Sequence, residues 1–291
     1  MSVKLGTLDI SAFKVGRGDC TVYLGTTKLY EGDYKFQASY SDGTTFKCLC
    51  DGNTTLTTAT TKPSGYEYSA MTDAVIGDCV TNVGKNDDTY SDSVFSECSS
   101  LSSVTIPNGV TYIGSYAFRG CSSLTSLTIP NGVTSIGDYA FYNCTSLSSV
   151  TIPSGVTSIG ETAFGFCTSL QNITFLSGIT SVAPWMFQHC TSLTSVTIPD
   201  SVTSIGYSAF YECTSLSSIT LPSGVTNIGN NAFSRCSGLT SITVLATTPP
   251  TLGYGGLGNG SIYVPSESVE TYKAASGWSD YASRIQAIPS D

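Results

Sequence analysis

Seven cysteines recur with a period of 23: Cys98, Cys121, Cys144, Cys167, Cys190, Cys213 and Cys236. Other residues keep step with them. Leu101, Leu124, Leu147, Leu170, Leu193, Leu216 and Leu239 follow three positions later. An alternating pair comes next, Val104-x-Ile106, Leu127-x-Ile129 and Val150-x-Ile152 among them, and later an Ile-Gly pair leads to Ala-Phe, as at Ala117-Phe118. A period of this length belongs to repeat architectures, in which one unit cannot bury its own apolar face and stacked units can. The alternating residues lie on one face of a strand. Pro107, Pro130, Pro153, Pro199 and Pro222 should end that strand, because proline has no amide to extend a ladder. The x-x-A-F-x-x-C stretch is too short for a stable α-helix, which predicts a single helical or 3₁₀ turn.

The unit C-x-x-L-x-x-V-T-I-P-x-G-V-T-x-I-G-x-x-A-F resembles the BspA-like, or Treponema-type, leucine-rich repeats from about Val75 to Pro265. The resemblance implies an α/β horseshoe-class solenoid, β-rich with short helical or 3₁₀ turns and about eight coils. It also implies adhesion or binding at a surface and no enzymatic activity. Three regions are expected: a small N-terminal β domain at 1–66, the solenoid at 67–265, and a C-terminal helical cap at 266–291. Within the first, Tyr34 to Tyr40 and Thr45 to Cys50 read as a hairpin about a Ser-Asp-Gly turn. Val22 to Tyr30 reads as two short strands, and the Thr-rich stretch 54–61 as a linker. In the last, Ser266 to Ala275 reads as a capped helix ended at Gly277, laying Trp278 and Tyr281 over the open core edge. This tail is similar to the terminal segment of gut Bacteroidales members of the family.

The string K-L-G-x-x-x-I-x-x-F-K-V-G … V-Y-L-G-T-T-K-L-Y, Lys4 to Tyr30, resembles the start of bacteriophage tail and virion proteins. The N-terminus has no apolar run or small-residue cleavage site typical of a secretory signal. Virion assembly in a bacterial cytoplasm would account for both, with the first domain docking onto other virion proteins.

Composition narrows the partners. The net charge is −9, from 12 basic and 21 acidic side chains among 291 residues, which disfavours a nucleic-acid backbone. No apolar run is long enough to cross a membrane, so no membrane insertion is expected. There is a single histidine, His189, so a multi-histidine metal site is out. Its neighbour Cys190 occupies a core column shared by six other units, which argues against a Cys–His nucleophile pair. The acids Asp138, Glu161, Asp200 and Glu212 fall on different coils, so no paired carboxylates point to glycosidase chemistry. The cysteine ladder lacks the clustered spacing of a metal site and reads as buried free thiols. Cys48 and Cys50 share one strand face, a poor geometry for a mutual disulfide; Cys20 and Cys79 stay unassigned. The total of eleven is odd, so complete pairing within the chain is impossible. No cofactor and no metal are expected. Arg17-Gly18-Asp19 is either an integrin-type tripeptide or a turn of the β domain.

Comparing the units with one another locates the variation. The outward strand position is Thr in every unit, Thr105 through Thr243, a uniform hydroxyl face carrying little information. Variation gathers around Ala-Phe. One column reads Tyr116, Tyr139, Thr162, Trp185, Ser208, Asn231; another reads Arg119, Tyr142, Gly165, Gln188, Tyr211, Ser234; a third reads Gly120, Asn143, Phe166, His189, Glu212, Arg235. The candidate binding residues are Tyr116, Tyr139, Tyr142, Phe166, Trp185, His189, Tyr207 and Tyr211. Aromatic faces anchor protein interfaces and stack on sugars, or they pad the solenoid flank. The unit from Cys167 to His189 departs most, with Phe175-Leu176 for Ile-Pro and Ala183-Pro184-Trp185-Met186 for Gly-x-x-Ala. Ala183 argues that the usual glycine is not strictly needed for a positive φ.

Together these features predict a non-enzymatic binding protein that meets a protein or glycan on a cell surface. The first reading is a phage virion or tail-associated protein recognising a bacterial surface. The second is an adhesin, on a bacterial cell surface or secreted, that binds host matrix proteins. The third is a structural or assembly protein of the virion, with the solenoid as a spacer. The weakly charged hydroxyl face predicts modest affinity made useful by multiple copies.

Overall fold

The computed structural model describes residues 68–78, 80–84, 93–176 and 178–290. It also gives the backbone of strands at 4–5, 8–9, 20–23, 34–40 with residue 41, 45–49 and 55–56. The chain winds into a β-solenoid of about eight turns with little helix. Each coil contributes one strand to each of two parallel rows. The first row includes Ser126–Thr128, Ser149–Ile152, Asn172–Phe175 and Ser195–Val196, paired with a shift of one whole repeat at every step. The second includes Asn82–Val83, Tyr112–Ile113, Ser135–Ile136 and Ser158–Ile159. The prolines end the first-row strands as the sequence predicts; Ser149–Ile152 stops at Pro153 and Ser218–Leu221 at Pro222.

The helical turn does not form. Around Ala-Phe the chain makes consecutive turns with left-handed residues at both ends, Tyr116 at φ 58° and Gly120 at φ 72° in one coil. Alternate amides serve different partners. Arg119 and Cys121 donate within the coil, to Tyr116 and Phe118, at 3.1 and 3.2 Å. Tyr116, Phe118 and Gly120 donate to the next coil, to Asp138, Ala140 and Tyr142, each at 2.8 Å. A helix satisfies its amides internally. Here alternate amides are turned along the solenoid axis and tie neighbouring coils, so the flank is a third ladder and not a helical layer.

Aliphatic, cysteine and phenylalanine side chains fill the interior. Phe95, Phe118, Phe141, Phe164, Phe187, Phe210 and Phe233 stack coil on coil, with centroids 5.0 to 6.0 Å apart. Cys121, Cys144, Cys167, Cys190, Cys213 and Cys236 are buried thiols, and each donates to the carbonyl of the phenylalanine 26 residues earlier at 2.9–3.2 Å. Burial pushes the thiols from Cys121 to Cys213 up, Cys167 to about 12. The abundant hydroxyls have a structural use as well. Thr134, Thr157 and Thr226 each donate to the carbonyl of the equivalent residue one repeat earlier, and Thr145, Thr168, Thr191 and Thr214 do the same in a second file.

The glycine that follows the second-row strand has a different role from the one its position implies. Gly137, Gly160, Gly206 and Gly229 are absent from the left-handed residues. A Cβ on Gly229 would instead lie 2.6 Å from the Tyr207 nitrogen, against the backbone of the previous coil. At these four positions close approach, not φ, demands glycine, whereas Gly84, which follows Asn82–Val83, is left-handed at φ 85°. Ala183 breaks that rule, and the second row divides there, between Ser158–Ile159 and Ser181–Val182.

At both ends, strands beyond the cysteine repeats pair with the solenoid rows. The hairpin forms, with Tyr34–Tyr40 paired antiparallel to Thr45–Leu49, but Tyr34–Tyr40 also pairs with Met71–Ile76, which is parallel to the solenoid strand Ser103–Thr105. One five-stranded sheet thus runs across the expected boundary. Thr55–Leu56, in the expected linker, pairs parallel with Asn82–Val83. Of the two strands expected between Val22 and Tyr30, Cys20–Tyr23 forms and pairs with Thr45–Leu49; residues 24–30 lie outside the described residues, as do Arg17-Gly18-Asp19, Cys50 and Cys79. At the other end the α-helix covers only Val269–Ala274, and its N-cap Ser268 makes no side-chain capping bond. Tyr272 and Trp278 are fully buried and donate to the carbonyls of Ala246 and Pro250 at 2.8 and 2.7 Å. Tyr281 is only partly buried. Ile285–Ala287 then adds a further parallel strand beside Ser261–Val264. The tail extends the first row as well as packing on its end.

Candidate functional site

Two of the three variable columns coincide with left-handed backbone positions. Tyr116, Tyr139, Thr162, Trp185, Ser208 and Asn231 have φ of 50–58°, and Asn143, Phe166, His189, Glu212 and Arg235 have φ of 57–59°. A residue with a Cβ costs roughly 1–2 kcal/mol in this conformation, and glycine would avoid that cost. In the third column only Gly120 takes the less strained residue.

Six of the eight candidates form one continuous run of rings across five coils. Tyr116 stacks on Tyr139 at 5.0 Å, and Tyr139 meets Tyr142 edge-on at 5.6 Å. Tyr142 contacts Phe166 at 5.3 Å, Phe166 stacks on His189 at 4.2 Å, and His189 meets Tyr211 at 5.7 Å. Trp185 and Tyr207 make a separate edge-to-face pair at 4.9 Å. They do not join the run: the first-column neighbours of Trp185, Thr162 and Ser208, carry no ring and are buried. All eight candidates keep solvent-accessible surface, Tyr207 the most at 41%.

Charged groups close both ends, a feature that the spacing of single residues does not reveal. Arg119 lies over the Tyr142 ring at 5.6 Å and pairs with Glu97. Arg235 lies over Tyr211 at 5.3 Å. Glu212 accepts a hydrogen bond from Arg235 at 2.9 Å, and its other oxygen lies 2.9 Å from His189 Nδ1. The hydrogen bond from Arg235 holds the Glu212 carboxyl below the usual carboxylate range, against the desolvation that raises it. The sequence signal for this clamp is the adjacency of His189, Glu212 and Arg235 in one column of successive units. His189 and Cys190 do not form a catalytic pair: Cys190 points inward to the Phe164 carbonyl while the imidazole faces Glu212. Among the described residues no cluster of His, Cys, Asp or Glu could hold a metal ion, and no helix is long and apolar enough to cross a membrane.

The hydroxyl face is less uniform than its sequence. Two clefts open on it, of about 300 and 340 Å³. Each is bounded by a leucine where the other coils carry proline, Leu176 in one and Leu245 in the other. Lacking a proline, these coils extend the ladder by one bond, from Leu176 N to Ile152 O and from Leu245 N to Leu221 O, and Leu176 is left 61% exposed.

Comparison with known proteins points to one family. A family model described as BspA type leucine rich repeat region matches in six copies over residues 88–213 and 180–251, more than half of the chain. Among solved structures, a leucine-rich repeat protein from Eubacterium ventriosum is 31% identical over 52% of this chain and 41% of its own, with a TM-score of 0.47. One from Bacteroides ovatus is 25% identical over 75% of this chain and 66% of its own, with a TM-score of 0.43. A leucine rich cell surface protein from Faecalibacterium prausnitzii is 25% identical over 66% of this chain and 80% of its own, with a TM-score of 0.32. The match to the first two therefore spans less than two thirds of their length. Comparison with curated proteins gives no match.

Proposed function

Because the chain belongs to the BspA-type leucine-rich repeat family, we propose that it is a non-enzymatic binding scaffold at a bacterial cell surface, and that its aromatic flank holds an extracellular protein partner. One observation carries this reading. The flank keeps Tyr, Trp, Phe and His in left-handed positions where glycine would be less strained; Tyr116, Tyr139, Phe166 and His189 join an accessible run ended by arginines, and Trp185 pairs with Tyr207 beside it. Strain held at an accessible patch is a mark of function, and Tyr, Trp and Arg are the side chains that dominate interface energetics. The reading as a virion or tail protein, docking through its N-terminus or acting as a spacer, rests on the resemblance at Lys4 to Tyr30 alone; family membership supports the adhesin reading instead.

The test is binding of the purified chain to intact gut Bacteroidales cells and to an array of host extracellular-matrix proteins. Trp185→Gly and Tyr142→Ala are the variants, checked for unchanged circular dichroism. Capture of a matrix protein that either variant weakens at least tenfold supports the reading. Capture that both variants retain overturns the site, and exclusive binding to bacterial cells restores the virion reading.

A further inference from the structure

The two clefts on the hydroxyl face are copies of one another. Thr128, Asn131, Thr151, Pro153 and Leu176 of the first correspond, three repeats on, to Thr197, Asp200, Thr220, Pro222 and Leu245 of the second. The strand register leads from Ser126 to Ser149, Asn172 and Ser195 in three pairings, so with roughly 4.8 Å per strand the clefts lie about 14 Å apart. The two leucines are exposed, although proline is the residue at this position in five other units.

We propose that these twin clefts bind one linear neutral glycan, seated at two points three coils apart. Neither cleft is lined by lysine or arginine, and one carries Asp200, so phosphate, sulfate or uronate groups have no counter-charge here. Threonine hydroxyls both donate and accept, and the Asn131 amide does the same, which matches the hydroxyls of a sugar. Leu176 with Pro153, and Leu245 with Pro222, present apolar surface to the C–H faces of the ring. A peptide fits less well. Extended peptides are held through the open edge of a sheet, whereas the first cleft lies on the face of two strands already paired with each other, Ser126–Thr128 and Ser149–Ile152. Matching clefts at a fixed offset suit a ligand whose own chemistry repeats along its length, and they convert the second contact into an intramolecular one.

The experiment uses the full chain and a panel of neutral linear glycans (β-glucan, α-glucan, mannan, xylan and galactan series), each as a disaccharide and as an oligomer long enough to reach both clefts. Titration calorimetry is expected to show at least one series in which the long form binds tenfold or more tighter than the disaccharide. Thr151→Gln fills the first cleft and Thr220→Gln the second, both from exposed positions. Either alone should reduce the long form to the affinity of the disaccharide, and the pair should abolish binding. Leu176→Ser with Leu245→Ser, which removes the apolar wall of each cleft and keeps the amides that bond to Ile152 and Leu221, should do the same and guards against misfolding of the first pair. The inference is overturned if no neutral glycan binds, if length brings no gain, or if acidic glycans bind better. Capture of a matrix protein that is lost with Trp185→Gly, while the glycan panel stays silent, removes the twin-cleft inference and leaves the flank intact.

Discussion

The thiol of Cys190 donates at 3.1 Å to the carbonyl of Phe164, 26 residues earlier. The same carbonyl accepts the amide of Cys167 at 3.3 Å, so one oxygen joins a turn within its coil to the coil above. Cysteine is suited to the place because it is small, apolar enough to be buried, and still a weak donor. Replacing Cys190 by Ala removes the donor and leaves a small void. We expect a loss of about 1–3 kcal/mol on denaturant unfolding. A loss within error of zero would show that the thiol only fills space.

The same ladder makes stability sensitive to alkali. Desolvation raises Cys121, Cys144, Cys190 and Cys213 well above the ordinary thiol value of 9.0, and Cys167 to about 12. The folded chain therefore holds these protons to higher pH than the unfolded chain does. Their contribution is complete below pH 9 and is lost as pH rises toward about 12. Thermal unfolding across this range should show a plateau followed by a steep fall in Tm, and Cys167→Ala should flatten the fall.

Thr162 is a poor residue for its place. It is β-branched at φ 56°, 1% exposed, and its Oγ1 has no hydrogen-bond partner. Thr162→Gly relieves both faults, against the extra unfolded-state entropy of glycine, for a net gain of about 1 kcal/mol. Calorimetry should find Tm raised by roughly 2–4 °C. A lower Tm would show that packing by the threonine methyl outweighs the strain.

The glycine column predicts opposite effects at two equivalent positions. Gly229→Ala forces a methyl against the Tyr207 nitrogen and should cost about 1–3 kcal/mol. Ala183→Gly, at the break in the second row, should cost little or stabilise, and hydrogen exchange should slow at Ser181 and Val182 as the row becomes continuous. Equal destabilisation by both would mean that the break has another cause.

Much of the fold is legible in the sequence because each repeat restates it. The repeat spacing locates the strand of every coil, the inward column of Cys, Leu and Phe, and the stops at proline. The variable columns mark the flank, and all eight candidates lie there. The helical turn is misjudged from sequence because the A-F stretch satisfies its amides partly from the next coil, a partner no local pattern displays. The role of Ala183 is misread for a similar reason, since the constraint on its column comes from backbone one coil away.

The repeat alone determined that the chain must stack, since a unit this short cannot bury its apolar face and a strict period brings identical residues into register. It also determined which residues face inward, because strand alternation is a property of the backbone. Only the tertiary structure decided which rings touch, that Trp185 and Tyr207 stand apart from the main run, that Glu212 bridges His189 and Arg235, and that two leucines enclose matching clefts. Those are distances between coils, and they depend on how left-handed turns aim each side chain along the axis.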